Sequence, residues 1–170
     1  MNQKEFLDTV LPFKDKVFRL AKRLLVSSDE AEDATQELYF KLWKNKSKIE
    51  SYDNVEAYAM MMTKNYCLDQ LKSKRASNLT LVHSNYKDEG SGELETNIEY
   101  KDSASIIKRM MNDLPEKQRM IIQLRDVENY EYKEIGKIMD MEPTAIRVAL
   151  SRARKTLRQN FIKKQDYGIG

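Results

Sequence analysis

Residues 132–161 read YKEIGKIMDMEPTAIRVALSRARKTLRQNF. Tyr132 to Met139 has the length and pattern of a short helix. Asp140-Met141-Glu142 is a tight polar turn, and Pro143 opens a long helix that reaches about Phe161. Proline suits a first helical turn, where its missing N–H has no helical partner to lose. Short helix, tight turn and long helix together form the layout of a helix-turn-helix. On a helical wheel, Ile146, Leu150, Ala153, Leu157 and Phe161 line one face of the long helix. Arg147, Ser151, Arg154 and Arg158 line another, with Arg152 and Lys155 on its flanks. An apolar face docks on a domain. An opposed basic face can enter the major groove of DNA, where arginine reads guanine or contacts phosphate. A merely solvated basic helix would share the wheel, but it would not need the short helix and turn before it.

Working back from this motif, the C-terminal part begins near Ala104. Asp113 followed by Glu116 resembles a capping box, and Pro115 falls in the first turn of the helix it opens. Ile121, Leu124 and Val127 supply that helix's buried face. Ala76 to Ser103 is rich in Ser, Asn, Asp, Glu and Gly and lacks periodicity, so it is expected to be an acidic, flexible linker.

The part before it, residues 1–75, is expected to be helical. Phe6, Val10, Phe13, Val17, Leu20 and Leu24 recur at three- and four-residue spacing. Ser27, Ser28 and Asp29 interrupt the pattern and can cap a helix running from about Glu30 to Lys44. A polar break spans Asn45 to Asp53, and Asn54 to about Lys74 is helical again. Within the second helix two faces separate. Ala31, Ala34, Leu38 and Leu42 take core spacing, while Asp33, Gln36, Glu37 and Phe40 form a second stripe. Carboxylates, an amide and an aromatic ring in one patch suit a charged protein partner.

The composition agrees with an all-α chain of two small helical domains, 1–75 and 104–165, joined by the 76–103 linker. Among 170 residues, Gly and Pro number 5 and 3. The net charge is only +3, yet it is unevenly spread. Residues 1–75 carry 14 basic and 12 acidic side chains, 76–104 carry 2 and 6, and 105–170 carry 14 and 9. From Pro143 to Gln165 there are seven basic residues and no acidic one, the footprint of a phosphate-binding surface. A single cysteine, Cys67, and a single histidine, His83, leave no material for a disulfide or a thiolate zinc cluster. Cys67 is read as a buried structural thiol, and His83 is assigned no role. No catalytic site, metal site or cofactor is expected, because no glycine-rich phosphate loop or nucleophile–base arrangement is visible. With no signal peptide and no long apolar run, the expected location is the cytoplasm.

Several stretches now resemble one family. Ala31-Glu32-Asp33-Ala34-Thr35-Gln36-Glu37 with Leu42-Trp43, and Asn65 with Asp69, resemble conserved region 2 of the extracytoplasmic-function (ECF) sigma factors. Leu114 to Arg119, Leu124-Arg125-Asp126, Glu134-Ile135 and Ser151 to Arg158 resemble region 4. The resemblance covers both helical parts in the family's order and implies a subunit that directs bacterial core RNA polymerase to promoters. It implies that Asp33, Gln36, Glu37 and Phe40 grip the clamp helices of the β′ subunit, with the β flap as a further contact. It assigns the −10 element to residues 45–75. Ser51, Tyr52, Asp53 and Asn54 would hold a flipped base, and Lys64, Asn65, Lys72, Lys74 and Arg75 would contact the strand. It assigns the −35 element to the long helix through Arg147, Ser151 and Arg152, joined by Thr144, Val148, Arg154 and Lys155. An anti-sigma factor is a further partner the resemblance implies.

The chain departs from the family pattern in places. Gly136 stands where alanine is common, Asp140 where the turn commonly has glycine, and Glu131 where a Ser or Thr cap is usual. Met60, Met61 and Met62 replace a Trp-Leu and Ile stretch and are read as packing. Two other readings stay open at this point: a helix-turn-helix regulator, or a sigma-like decoy that sequesters an anti-sigma factor.

Overall fold

A computed structural model of the chain describes residues 1–80 and 103–166. Every regular element among them is helical. Helix α1 (Gln3–Val10) starts at a reciprocal cap. The Asn2 side chain accepts from the Glu5 N–H at 2.9 Å, and the Glu5 carboxylate accepts from the Asn2 N–H at 2.9 Å. The apolar stripe beginning at Phe6 does not run through one helix. Pro12 brings a 3₁₀ turn at Leu11–Phe13, after which α2 (Lys14–Leu25) resumes the same buried face. Phe6, Val10, Phe13, Val17, Leu20 and Leu24 are all buried, as their spacing predicts. Helix α2 ends at Val26, whose φ of 68° is the left-handed region.

Ser27 caps α3 (Ser28–Lys44) by accepting from the Glu30 N–H at 3.2 Å. Trp43 meets Phe6 edge-on at 5.1 Å, so it belongs to the packing. The Tyr39 hydroxyl donates to the Val10 carbonyl at 2.7 Å and ties α3 to α1. The stretch 45–53 holds more structure than its polarity predicts. A single turn, α4 (Lys46–Ile49), buries Ile49 in the core. The long helix α5 (Val55–Thr80) packs on α2 and α3. It carries Met60 and Cys67 into the interior and continues past residue 75, so 76–80 are helical rather than linker. The remainder of the expected linker, 81–102, lies outside the described residues, as does His83.

In the C-terminal half, α6 (Ser103–Asn112) leads to α7 (Glu116–Ile122). Asp113 does not cap α7. Pro115 takes the cap position, without a side-chain hydrogen bond, which corrects the capping-box expectation. A π turn follows at Gln123–Val127, where the Glu128 N–H reaches back to the Gln123 carbonyl at 3.0 Å; Ile121 and Leu124 are buried as expected, but the turn leaves Val127 exposed, which corrects its place on the buried face. Helix α8 (Tyr132–Met139), the Asp140 turn and α9 (Pro143–Asp166) complete the helix-turn-helix. Helix α9 runs five residues beyond the expected end.

The turn is built from the two unusual residues together. Asp140 adopts φ 56°, ψ 53°, a left-handed conformation an aspartate tolerates. The Gly136 carbonyl accepts the Met141 N–H at 3.0 Å. A β-carbon at Gly136 would lie 2.7 Å from the Met141 carbonyl oxygen, so the glycine is required by a backbone approach.

The two halves pack on each other. Helix α2 lies against α7 and the π turn, and α5 lies against α8. Buried side chains of both halves form one continuous cluster. Gly136→Ala is expected to destabilise the protein by about 1–3 kcal/mol through overpacking against backbone, read as a lowered thermal midpoint. An unchanged midpoint would show that the turn relaxes freely.

Candidate nucleic-acid and partner interfaces

Helix α3 has the two faces its sequence predicts. Ala31, Ala34, Leu38 and Leu42 are buried, while Asp33, Gln36, Glu37 and Phe40 are exposed. Phe40 is 55% exposed, with the Lys44 ammonium 5.2 Å above its ring. The ring thus stands in water beside the carboxylates of the same face. Tyr66 of α5 adjoins this patch, a residue that sequence reasoning missed. Its phenol is pushed up by burial first, then by the Glu37, Cys67 and Asp33 charges, and Lys41 lies over its ring at 5.2 Å.

The corner between α4 and α5 forms a recess of about 250 Å³. Tyr52, Asp53 and Asn54 line it, together with Ala57, Tyr58 and Met61. Ser51 is exposed beside it, with its hydroxyl donating to the Lys48 carbonyl at 2.7 Å. The Asn54 side chain caps α5 by accepting from the Ala57 N–H at 2.9 Å, which fixes the corner. The rings of Tyr52 and Tyr58 lie 4.4 Å apart, tilted by 39°. Their hydrogen bond, then burial, raises the Tyr58 phenol. Paired aromatic faces beside a carboxylate and an amide can stack and hydrogen-bond a base. Met61 belongs to this recess, so only part of the methionine run is interior packing. One further wall of the recess is Lys137, from α8 in the other half.

The expected strand contacts are not equivalent. Asn65 and Lys72 are exposed. Lys74 is paired with Glu30 at 2.7 Å, and Arg75 with Glu116 across the halves at 2.7 Å. Lys64 is half-buried. Burial lowers its amine below the usual range, and the Asp140 charge opposes that shift.

On α9, Thr144, Arg147, Val148, Ser151, Arg152, Arg154 and Lys155 are all exposed, opposite buried Ile146, Leu150 and Ala153. They are not equally free. Arg154 holds the Asp126 carboxylate with two nitrogens, Nε at 3.0 Å and Nη2 closer still. That hydrogen bond is the main cause of its raised guanidinium pKa. Its fork is spent within the fold, whereas a bidentate base contact needs the fork open. Arg147 lies 5.1 Å from the Tyr132 ring, which also takes Arg125 at 4.6 Å. Tyr132 thus orients a candidate reader, which the sequence pattern did not disclose. Among the described residues no group of three or more His, Cys, Asp or Glu side chains could hold a metal. No described helix is long and apolar enough to cross a membrane.

Known proteins match both halves. The family model for Sigma-70 region 2 matches residues 10–77, and that for Sigma-70, region 4 matches residues 104–157. The chain is 24% identical to the ECF RNA polymerase sigma factor SigW of Bacillus subtilis, over 94% of this chain and 90% of SigW. It is 27% identical to the ECF RNA polymerase sigma-E factor of Escherichia coli K12, over 92% and 86%. Two solved structures share the fold. One is the sigma factor RpoE with the anti-sigma factor NepR from Bartonella quintana (TM-score 0.72, 22% identity, 92% of this chain and 96% of that chain). The other is CnrH with the cytosolic domain of CnrY (TM-score 0.68, 16% identity, 95% and 90%).

Cys67 is buried, and its thiol is pushed up to about 12, chiefly by burial and then by Glu30. The ordinary value is 9.0, so below pH 9 the native thiolate fraction is about a thousandfold smaller. Native protein should therefore resist a thiol-specific alkylating reagent from pH 7 to 9 and react fully once denatured. Rapid native labelling would refute a buried structural role.

Proposed function

The chain belongs to the sigma-70 family, within its ECF group, and from that premise we propose a residue-level division of labour between its two halves. As an ECF sigma factor it binds core RNA polymerase, recognises promoter DNA and promotes transcription initiation. Sigma factors are transcription initiation factors. In our reading this chain contributes no bond-making group, and nucleotide addition belongs to the polymerase.

The N-terminal half, 1–75 with its helical extension to residue 80, takes the polymerase and the −10 element. The Asp33, Gln36, Glu37 and Phe40 face grips the β′ clamp helices. The recess at Tyr52, Asp53 and Asn54 receives a base drawn from the non-template strand, with Tyr58 as an added stacking face. Unstacking that base costs a few kcal/mol, which the two rings and neighbouring cations offset. Asn65 and Lys72 follow the backbone, with Lys64, Lys74 and Arg75 joining when their present carboxylate neighbours are released.

The C-terminal half, 104–165, takes the −35 element. Arg147, Ser151 and Arg152 face the major groove, Thr144 and Val148 flank them, and Lys155 contacts phosphate. Arg154 braces the Asp126 turn and ranks below the others as a reader. The observation that carries this reading is the simultaneous exposure of the α3 patch and the α9 basic face, each backed by its own buried stripe. A decoy needs no intact basic face, and a plain regulator needs no α3 patch. One structural relative, the sigma factor RpoE of Bartonella quintana, is described with the anti-sigma factor NepR. We extend such a partner to this chain, with the same exposed faces as its target.

Transcription in vitro with core polymerase and a promoter library tests the assignment. The parent protein should create new start sites. Asp33→Ala/Glu37→Ala should abolish them by weakening core binding. Arg147→Ala/Arg152→Ala should keep core binding and lower promoter use at least about tenfold, since each good base contact is worth about 1–3 kcal/mol. Core binding without any new transcript would favour the decoy. DNA binding without core binding would favour the regulator.

Tyr132 gives a finer test. Tyr132→Phe should keep −35 selectivity and Tyr132→Ala should relax it at the base Arg147 reads. Equal selectivity in both would remove Tyr132 as a positioning residue.

A further inference from the structure

Nine methionines are spread along the chain. Met60, Met110, Met111, Met120 and Met139 are buried. Met1, Met62 and Met141 are half-buried and packed against the core. Met61 is half-buried too, but it stands in the wall of the recess between α4 and α5, with Tyr52, Asp53 and Tyr58. Successive residues on a helix point about 100° apart, so three adjacent methionines cannot share one environment. Among the described residues, Met61 is the methionine that lines this recess.

A thioether suits that wall and is vulnerable in it. It is apolar and polarisable, and it packs well against aromatic rings. With the paired rings of Tyr52 and Tyr58 it completes an apolar slot beside the Asp53 carboxylate and the Asn54 side chain. Its sulfur carries no proton, so its lone pair is available to an oxidant at any pH. The recess of about 250 Å³ has room for a peroxide, which is little larger than a water of about 30 Å³. The Cys67 thiol is buried and pushed up to about 12, so it does not compete for the same oxidant.

We propose that Met61 is a reversible oxidation site: a peroxide converts its thioether to the sulfoxide, and the sulfoxide weakens the hold of the recess on the promoter strand. The proposal rests on the recess being the −10 site. With hydrogen peroxide, the sulfur lone pair attacks one oxygen, and the S–O bond forms as the O–O bond breaks. The proton on the attacked oxygen passes to the other, which leaves as water. Sulfur loses two electrons and the peroxide gains them. The product sets a hydrated oxygen acceptor in a wall that had been apolar, in the recess that the Asp53 carboxylate also lines. An entering base must strip water from that oxygen, a cost the thioether does not impose. A methionine sulfoxide reductase returns the thioether.

The test treats the full chain with hydrogen peroxide, quenches with free methionine and maps the sulfoxides by tandem mass spectrometry, which separates the three adjacent methionines. The treated chain is then assembled with untreated core polymerase, and anisotropy of a labelled single-stranded −10 oligonucleotide reads the recess. Met61 sulfoxide should form before that of any other methionine, with the thermal midpoint unchanged. Strand affinity should fall about two- to tenfold, the range of a lost sulfur–aromatic contact. Reductase treatment should restore it. Met61→Leu should show the same affinity before and after peroxide. Earlier oxidation of Met62 or Met141, parent affinity with Met61 oxidised, or an equal loss in Met61→Leu would overturn the proposal. If Tyr52→Ala binds the strand as the parent does, the recess reading fails instead, while the oxidation site is still read from the masses.

Discussion

Glu128 is the carboxylate on which the arrangement of the two halves depends. It sits at the end of the π turn, almost withdrawn from water. Burying an unpaired carboxylate costs several kcal/mol, so the site stands only while its partners are in place. Arg19 supplies two N–H groups and the Gln123 amide a third. Gln123 is itself held by Arg23, one turn along α2 from Arg19. Arg23 and Arg119 both have guanidinium pKa values lowered, each by burial first, and Arg23 also by the nearby Arg119 charge. The interface thus concentrates cations on α2 and α7: Glu128 offsets Arg19, while Glu116 and Asp113 act on Arg119. Helix α2 is also the helix on which α3 and α5 pack, so this pair joins the C-terminal half to the centre of the N-terminal one.

The functional faces are consequences of which faces the core consumes. Helix α3 commits alanines and leucines inward, and the acidic stripe with Phe40 is left outside. Helix α9 commits Ile146, Leu150 and Ala153 inward, and its basic stripe is left outside. Opposite signs on the two exposed faces suit two partners: a protein surface for the carboxylates and a polyanion for the arginines. Ion pairing then edits the basic stripe. Arg154, bound to Asp126, ties α9 to the turn that ends in Glu128, while Arg147 and Arg152 stay exposed.

Local pattern made much of this legible. The limits of α8, the Asp140 turn, the two faces of α3 and the outward stripe of α9 follow from spacing, since each is settled within a few turns of one helix. The features that were not legible depend on contacts between residues far apart in the chain, 41 apart for Glu116 and Arg75 and 109 apart for Glu128 and Arg19. Lys137 beside Tyr52, Glu128 on Arg19 and Glu116 on Arg75 leave no periodic trace, because each residue alone is an ordinary charged side chain on a helix. The π turn was equally silent, being one extra residue within a helical pattern. Asp113 misled because its spacing to Glu116 imitates a capping box, while Pro115, with an extended ψ of 148°, takes the cap position itself and the helix starts at the residue after it. The polar break at 45–53 hid a helical turn because one buried side chain, Ile49, was enough to anchor it.

Gly136 and Asp140 show how two departures from a family pattern can be one solution. A left-handed residue is needed at the turn, and glycine would supply it at the least strain. Here aspartate takes that conformation, and the chain folds back so closely that the Met141 carbonyl approaches Gly136 to within the space a side chain would fill. The Gly136 carbonyl meanwhile accepts N–H groups from the turn. Ile146, in the first turns of α9, closes over the same spot at 3.7 Å. The missing side chain on α8 thereby leaves room for the Met141 carbonyl and for Ile146 of α9. Restoring alanine while keeping aspartate would crowd that space. Restoring glycine at the turn alone would leave it unchanged, because the close approach is made at position 136.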